Sequence, residues 1–317
     1  MLVNLYRDKT PIAIFSLPLL IGLLALPIFF FPADQSYYFL KWQSDMEAQV
    51  IATPGLNYLF TVLLVSLNAH QLNNVYNRHT FYSKSSFLPG FIYVLLLFSF
   101  NELRFSPNLI AHLFLIFTLG QLLKLRRQED AKAIIFWAAF FIGMAIAFSS
   151  FQTITLLLPW LALTVFKPFV WREWFMVLLG GAIPLAYYLS VLFMVKNGID
   201  FKMAEVVPRP KITLDLFKLS SYALTILIIT GSLLKYIMIL RTEVIRFKKQ
   251  SFVLLHFCWL SVVIWGIGYF IFEQIYLSFT LPFAFFIATA LLHSGKKYTV
   301  NLIVIIWLII SVANVLL

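Results

Sequence analysis

Glu102 and Arg104 stand two residues apart in NELRFSPNLIAH, and His112 follows about one and a half turns into the apolar run that begins at Pro107. The loop is too short to move far from the runs that flank it. An acid, a guanidinium and an imidazole confined in this way could serve as general base, phosphate clamp and proton shuttle. The same spacing also suits an Arg104–Glu102 pair that only closes the loop. Asp34 ends the first long apolar run; it either faces a site there or is a solvated boundary residue. Lys202, Arg209 and Lys211, with Lys196 before them, form a basic group in KNGIDFKMAEVVPRPKITLD. Such charges neutralise the phosphate oxygens of a ligand or of anionic lipid headgroups, the latter at about 1 kcal/mol each.

Other chemistries are excluded by residue type. The single cysteine, Cys258, permits no intrachain disulfide and no multi-cysteine metal site, and the five histidines fall in no ligand pattern, so neither a metal nor a cofactor is expected. Walker, HExxH and GxSxG signatures are absent. The run Gly180, Gly181, Ala182, Ile183, Pro184 is read as a packing and kinking device, since small residues let helices approach closely without any ligand. Glu273, between two apolar runs, is placed at a turn near the membrane surface, because a carboxylate at mid-membrane costs at least about 2.5 kcal/mol.

The elements that must position these groups follow from composition. Of 317 residues 62% are hydrophobic and 12% charged, against roughly 45–50% and about 25% in soluble domains. So few charges cannot cover a water-soluble surface, and they arrive in short clusters between long apolar runs. A helix crosses about 30 Å of hydrocarbon with roughly 17–25 apolar residues. Eleven runs approach that length: 11–32, 52–71, 86–101, 107–124, 133–150, 152–167, 174–195, 216–240, 252–272, 275–293 and 300–317. The fold class expected is therefore all-α, a polytopic transmembrane helical bundle of about 11 helices forming one membrane domain over residues 1–317, without a soluble domain. The first run is read as a retained membrane helix, its apolar stretch being too long for a signal peptide. β-Barrel strands would alternate apolar and polar residues, and IIFWAAFFIGMAIAF does not.

Charge sets the orientation. With a cytoplasmic N-terminus, seventeen of the 24 Lys and Arg residues fall in inner loops and seven in outer ones, as cation retention requires. The same retention accounts for the net charge of +11 without nucleic acid as a partner. Eight of the 13 acids then lie outside, Asp34 and Glu102 among them. The first outer loop, ADQSYYFLKWQSDMEAQVIATPG, mixes aromatic and polar residues and reads as a short amphipathic helix in the interface. In NELRFSPN, Ser106 is expected to cap and Pro107 to begin the next helix.

Taken whole, with FFPADQSYYFL, NELRFSPNLIAHLFLIFTLGQLLKLRR and GGAIPLAYYL, the chain resembles an uncharacterised family of polytopic inner-membrane proteins from Bacteroidota. That likeness implies a bacterial inner (cytoplasmic) membrane location and carries no function. Residues 1–195 are also similar to membrane glycosyltransferases of the GT-C class, through the acid ending the first span, the amphipathic outer stretch and the short outer loop before a helix ending in LKLRR; residues 196–317 add C-terminal helices. The class uses polyprenyl-phosphate-linked sugars at the outer leaflet. The resemblance implies that Asp34 acts as base or contacts the acceptor and that Glu102 takes the place of the second-loop acid. Gln35 follows Asp34 where a paired acid is common, which also fits an inactive relative. The alternative expectation is a scaffold or accessory subunit for other envelope membrane proteins or a transporter, with membrane lipids as its first partners.

Overall fold

The computed structural model describes residues 2–8, 10–30, 53–125, 131–196, 216–272, 277–294 and 297–316. All regular structure among them is helical: α1 (Leu2–Arg7), α2 (Pro11–Ala25), α3 (Pro27–Phe30), α4 (Pro54–Arg78), α5 (Leu88–Ser99), α6 (Pro107–Leu122), α7 (Lys132–Phe148), a 3₁₀ segment (Ser150–Leu156) running into α8 (Leu157–Phe166), α9 (Trp171–Lys196), α10 (Leu216–Thr242), α11 (Ile245–Phe272), α12 (Thr280–Leu292) and α13 (Lys297–Leu316).

The solvent of this fold is visible in α2. Ala13, Leu17, Ile21 and Ala25 recur every four residues and are buried, while Ile12, Phe15, Leu19 and Leu23 on the other side are exposed. A helix apolar on both faces, with one face outside the protein, requires an apolar medium. Five helical segments combine the length and composition to cross a membrane: Pro11–Phe30, Trp171–Val191, Leu219–Thr242, Ile245–Tyr269 and Tyr298–Val315. The protein is thus a multi-pass, all-helical membrane protein whose outer side chains contact lipid.

At its centre lie two helices that touch no lipid. Every residue of α5 is buried, as are twelve of the thirteen in α12, and the two pack on each other. At about 1.5 Å per residue, α5 is only some 18 Å long, and being surrounded by protein it need not match the bilayer. Around this pair α10 and α13 pack on one side and α4 on another, with α2 and α6 against α4 and α7 bridging α6 to α9. Hydroxyls bond across the contacts, as in Tyr76–Thr289 (3.1 Å) and Ser99–Ser311 (2.9 Å).

Burying α5 requires partners for the backbone N–H groups of its first turn, which have none within the helix. Neighbours supply them. Phe87 N donates to the Tyr6 carbonyl (2.9 Å), Leu88 N to Ser86 Oγ (3.1 Å) and Gly90 N to Asn73 Oδ1 (2.6 Å), and Pro89 has no N–H to satisfy. Asn77 holds Ser86 by both its backbone groups, at 2.9 and 3.0 Å. Asn73 and Asn77 belong to α4, which continues to Arg78, past the residue-71 limit expected from hydropathy. The polar residues beyond 71 remain helical because α5 uses their amides.

Residues 2–7, ahead of the first apolar run, form a helix docked by Val3 N on Asn301 Oδ1 (2.9 Å) and by stacking of Tyr6 on Phe91 (4.6 Å). Two further expectations change. The run 11–32 is broken between α2 and α3 at Leu26, ahead of Pro27, whose ring disfavours continuation. Ser106 occupies the cap position of α6 with extended backbone, but its side chain makes no cap bond. The interfacial helix expected in the first outer loop, and Glu273, fall outside the described residues.

Candidate functional site

The turn carrying Glu102 and Arg104 is built by a left-handed residue. Asn101 has φ 57°, directing Asn101 N to the Phe98 carbonyl (3.0 Å) and Glu102 N to the Leu97 carbonyl (3.0 Å). This is the paired closure that satisfies a helix C-terminus, with asparagine tolerating the left-handed conformation. From α4, buried Asn57 accepts from Phe105 N (3.2 Å), and Leu103 anchors the turn in the core. Glu102 and Arg104, both partly exposed, therefore project from a six-residue turn held at both ends.

His112 does not join them at the mouth. It is 1% exposed and faces into the bundle, where Nδ1 lies 2.9 Å from the Tyr93 hydroxyl on α5. Asn68 on α4, also fully buried, donates from Nδ2 to the Leu109 carbonyl (2.8 Å) and to Tyr93 Oη (3.4 Å). The expected acid–guanidinium–imidazole mouth is corrected to a turn carrying the acid and the guanidinium and, deeper, an Asn68–Tyr93–His112 cluster joining three helices. The rotation of α6 about its axis separates them: the helix face bearing His112 is the face that packs on α4 and α5. Sequence reading missed Asn68 and Tyr93. Their signal was a polar side chain inside an apolar run, VSLNAH and FIYVLLL, where an unpaired polar group is costly.

Asp34, Lys202, Arg209 and Lys211 lie outside the described residues, so Glu102, Arg104 and His112 are the expected site residues that can be located. No grouping of three or more His, Cys, Asp or Glu able to hold a metal occurs among the described residues.

At the opposite end of α4, beyond its last residue, His79 is buried in the turn toward α5. It hydrogen-bonds the Gly120 backbone, and its Nδ1 lies 3.5 Å from Gln250 Nε2, which also donates to the Leu123 carbonyl (3.2 Å). Desolvation lowers the imidazole to about 4; the Gly120 bond opposes this, while Arg246, Lys124 and Arg78 reinforce it. A His depressed on folding stabilises the protein fully above its unfolded value near 6.5, and that contribution is lost as pH falls toward 4. The loss is on the order of 3 kcal/mol. Thermal unfolding in detergent should show the melting temperature falling across this window for wild type and flattening in His79→Gln. Parallel pH profiles for the two proteins would dismiss the assignment.

No family model, curated protein or solved structure matches the chain.

Proposed function

We propose that this multi-pass membrane protein works at the α5–α6 turn on a polyprenyl-phosphate-linked sugar at the outer leaflet of a bacterial inner membrane, as a small GT-C-like transferase or an inactive relative. The observation carrying this reading is the closure of the turn. Asn57, Asn101 and Leu103 spend three interactions on presenting a carboxylate and a guanidinium at a fixed place, and preorganised charge is what recognition of a phosphate-bearing ligand needs. Glu102 supplies the acid, Arg104 the phosphate contact and Asp34 the second acid. Burial of His112 removes it from the surface roles of shuttle or clamp.

In its catalytic form the proposal is tested with purified protein and labelled lipid-linked sugar. Asp34→Asn and Glu102→Gln should abolish transfer while leaving expression and monodispersity unchanged. Wild-type turnover in both variants would end it.

A second reading, an accessory subunit of an envelope assembly or transporter, is favoured by the filled centre of the bundle, where α5 and α12 occupy the axis with side chains. It expects co-purification with a membrane partner and indifference to both substitutions. A protein that purifies alone and turns over the lipid donor would exclude it.

A further inference from the structure

The hydrogen atoms of the Asn68–Tyr93–His112 cluster can be counted. The Asn68 atom 2.8 Å from the Leu109 carbonyl must be the amide nitrogen, because two oxygens cannot share a bond there without a proton. Its other N–H points to Tyr93 Oη (3.4 Å), so the tyrosine oxygen accepts. Its single proton is left for His112 Nδ1 at 2.9 Å. The neutral ring therefore carries its hydrogen on Nε2.

That Nε2–H is enclosed and has no partner among the described residues, and the same holds for Asn68 Oδ1 and for Asn108 Oδ1, one helical turn before His112 on α6. Leaving a buried donor unmet is costly, because its desolvation is not offset. The unmet set, one donor and two acceptors, matches in number a water oxygen, which accepts from the ring N–H and donates two protons; an alcohol oxygen, with one proton, meets the ring N–H and one of the two amide oxygens. A metal ion is not complementary, since a protonated Nε2 has no lone pair to give.

We infer that the interior between α4, α5 and α6 is a binding site for a hydroxyl oxygen seated on His112 Nε2–H, with Tyr93 fixing the tautomer that receives it. The oxygen belongs to a bound water or to an alcohol group of a ligand. The site lies about 8 Å along α6 from Pro107, by helix rise. It depends on the cluster's geometry alone and stands whether or not the turn carries a transferase.

The test is nitrogen-15 NMR of histidine-labelled protein in lipid nanodiscs, with His112 assigned from the signal missing in His112→Gln. His112 should show the pure Nε2–H form and an exchange cross peak from that proton to water. Adding polyprenyl phosphate, then its sugar-linked form, distinguishes the source. A cross peak that persists identifies water; one replaced by contacts to sugar hydroxyls only with the second lipid identifies the ligand. Tyr93→Phe should convert the single tautomer to a mixture while the other four histidine signals stay in place. The inference is overturned by an Nδ1–H ring, or by an Nε2–H with no hydroxyl or water contact in any condition. Retention of the pure Nε2–H form in Tyr93→Phe would remove the tyrosine's part in it. The wild-type measurement decides the site even if that variant does not fold.

Discussion

Gly180→Leu and Gly143→Leu are each expected to yield no monodisperse protein in detergent, the largest effect of any single substitution proposed for this fold. A Cβ at Gly180 would meet the Phe136 carbonyl oxygen at 2.5 Å and the Ala139 Cβ at 2.9 Å; one at Gly143 would meet the Gly181 carbonyl oxygen and Pro184 Cγ, each at 2.6 Å. These obstacles are mainly backbone, which cannot rotate aside as a side chain can. In a bilayer no hydrophobic difference between lipid and protein drives helices together, so close contact at small residues supplies much of the association. Losing it separates α9 from α7, the contact through which α9 joins the bundle. Even alanine should lower the melting temperature at either site, by overpacking worth about 1–3 kcal/mol or more. Gly231 and Gly266 are internal controls, because a Cβ there meets nothing within 4 Å. Their alanine variants should equal or exceed wild type, as glycine costs a helix about 1 kcal/mol relative to alanine. Size-exclusion profiles and thermal unfolding of the four alanine variants in one detergent are sufficient. Equal behaviour at all four positions would refute the close-contact account.

Breaking the Lys167–Glu173 pair is expected to have the second largest effect. Glu173, at the start of α9, accepts from Lys167 Nζ at 3.1 Å in the turn after α8 and from Ala131 N at 3.3 Å in front of α7. One carboxylate thereby ties three helices, with both side chains only 7% exposed. Glu173→Leu removes the carboxylate that the Lys167 ammonium faces, and breaking a buried pair from one side is strongly destabilising. Replacing both partners is a different operation, because neither charge of the pair remains. Lys167→Met combined with Glu173→Leu should recover most of the melting temperature lost by Glu173→Leu alone, apart from the share of the Ala131 bond. A double variant at least as unstable as the single one would show that the ion pair is not what Glu173 contributes.

Reading of the chain succeeded where partition between water and hydrocarbon decides the outcome. Each of the eleven apolar runs coincides with helical structure, from α2–α3 at 11–32 to α13 at 300–317. Gly180 and Gly181 were legible as a packing device because glycine in an apolar helix has little other use. The failures have a common origin. α4 was ended at 71 because LNNVYNR looks wet, yet Asn73 and Asn77 are inside, bonded to the first turn of α5. α1 was missed because six residues carry no usable period, and its place is decided by distant Asn301. His112 was placed at a mouth because it follows Glu102 closely in sequence, whereas the face that α6 turns to α5 gives it to Tyr93.

Composition and run length already require that this protein leave water: its charges are too few to cover a surface, and its apolar runs are long enough to be solvated by a bilayer. The sequence also determined an acid and a guanidinium within one short turn. Only the tertiary structure decided which face of each helix is inside. Lipid is as apolar as the packed interior, so a helix apolar all round, as α6 nearly is, carries no gradient from which its rotation can be read. That rotation is set by polar groups finding partners on other helices, Asn68 on Tyr93 and Tyr93 on His112, and by small residues admitting a neighbouring backbone, Gly143 against Gly181. Both are pairwise facts between distant parts of the chain, and they came into view only once the helices were packed.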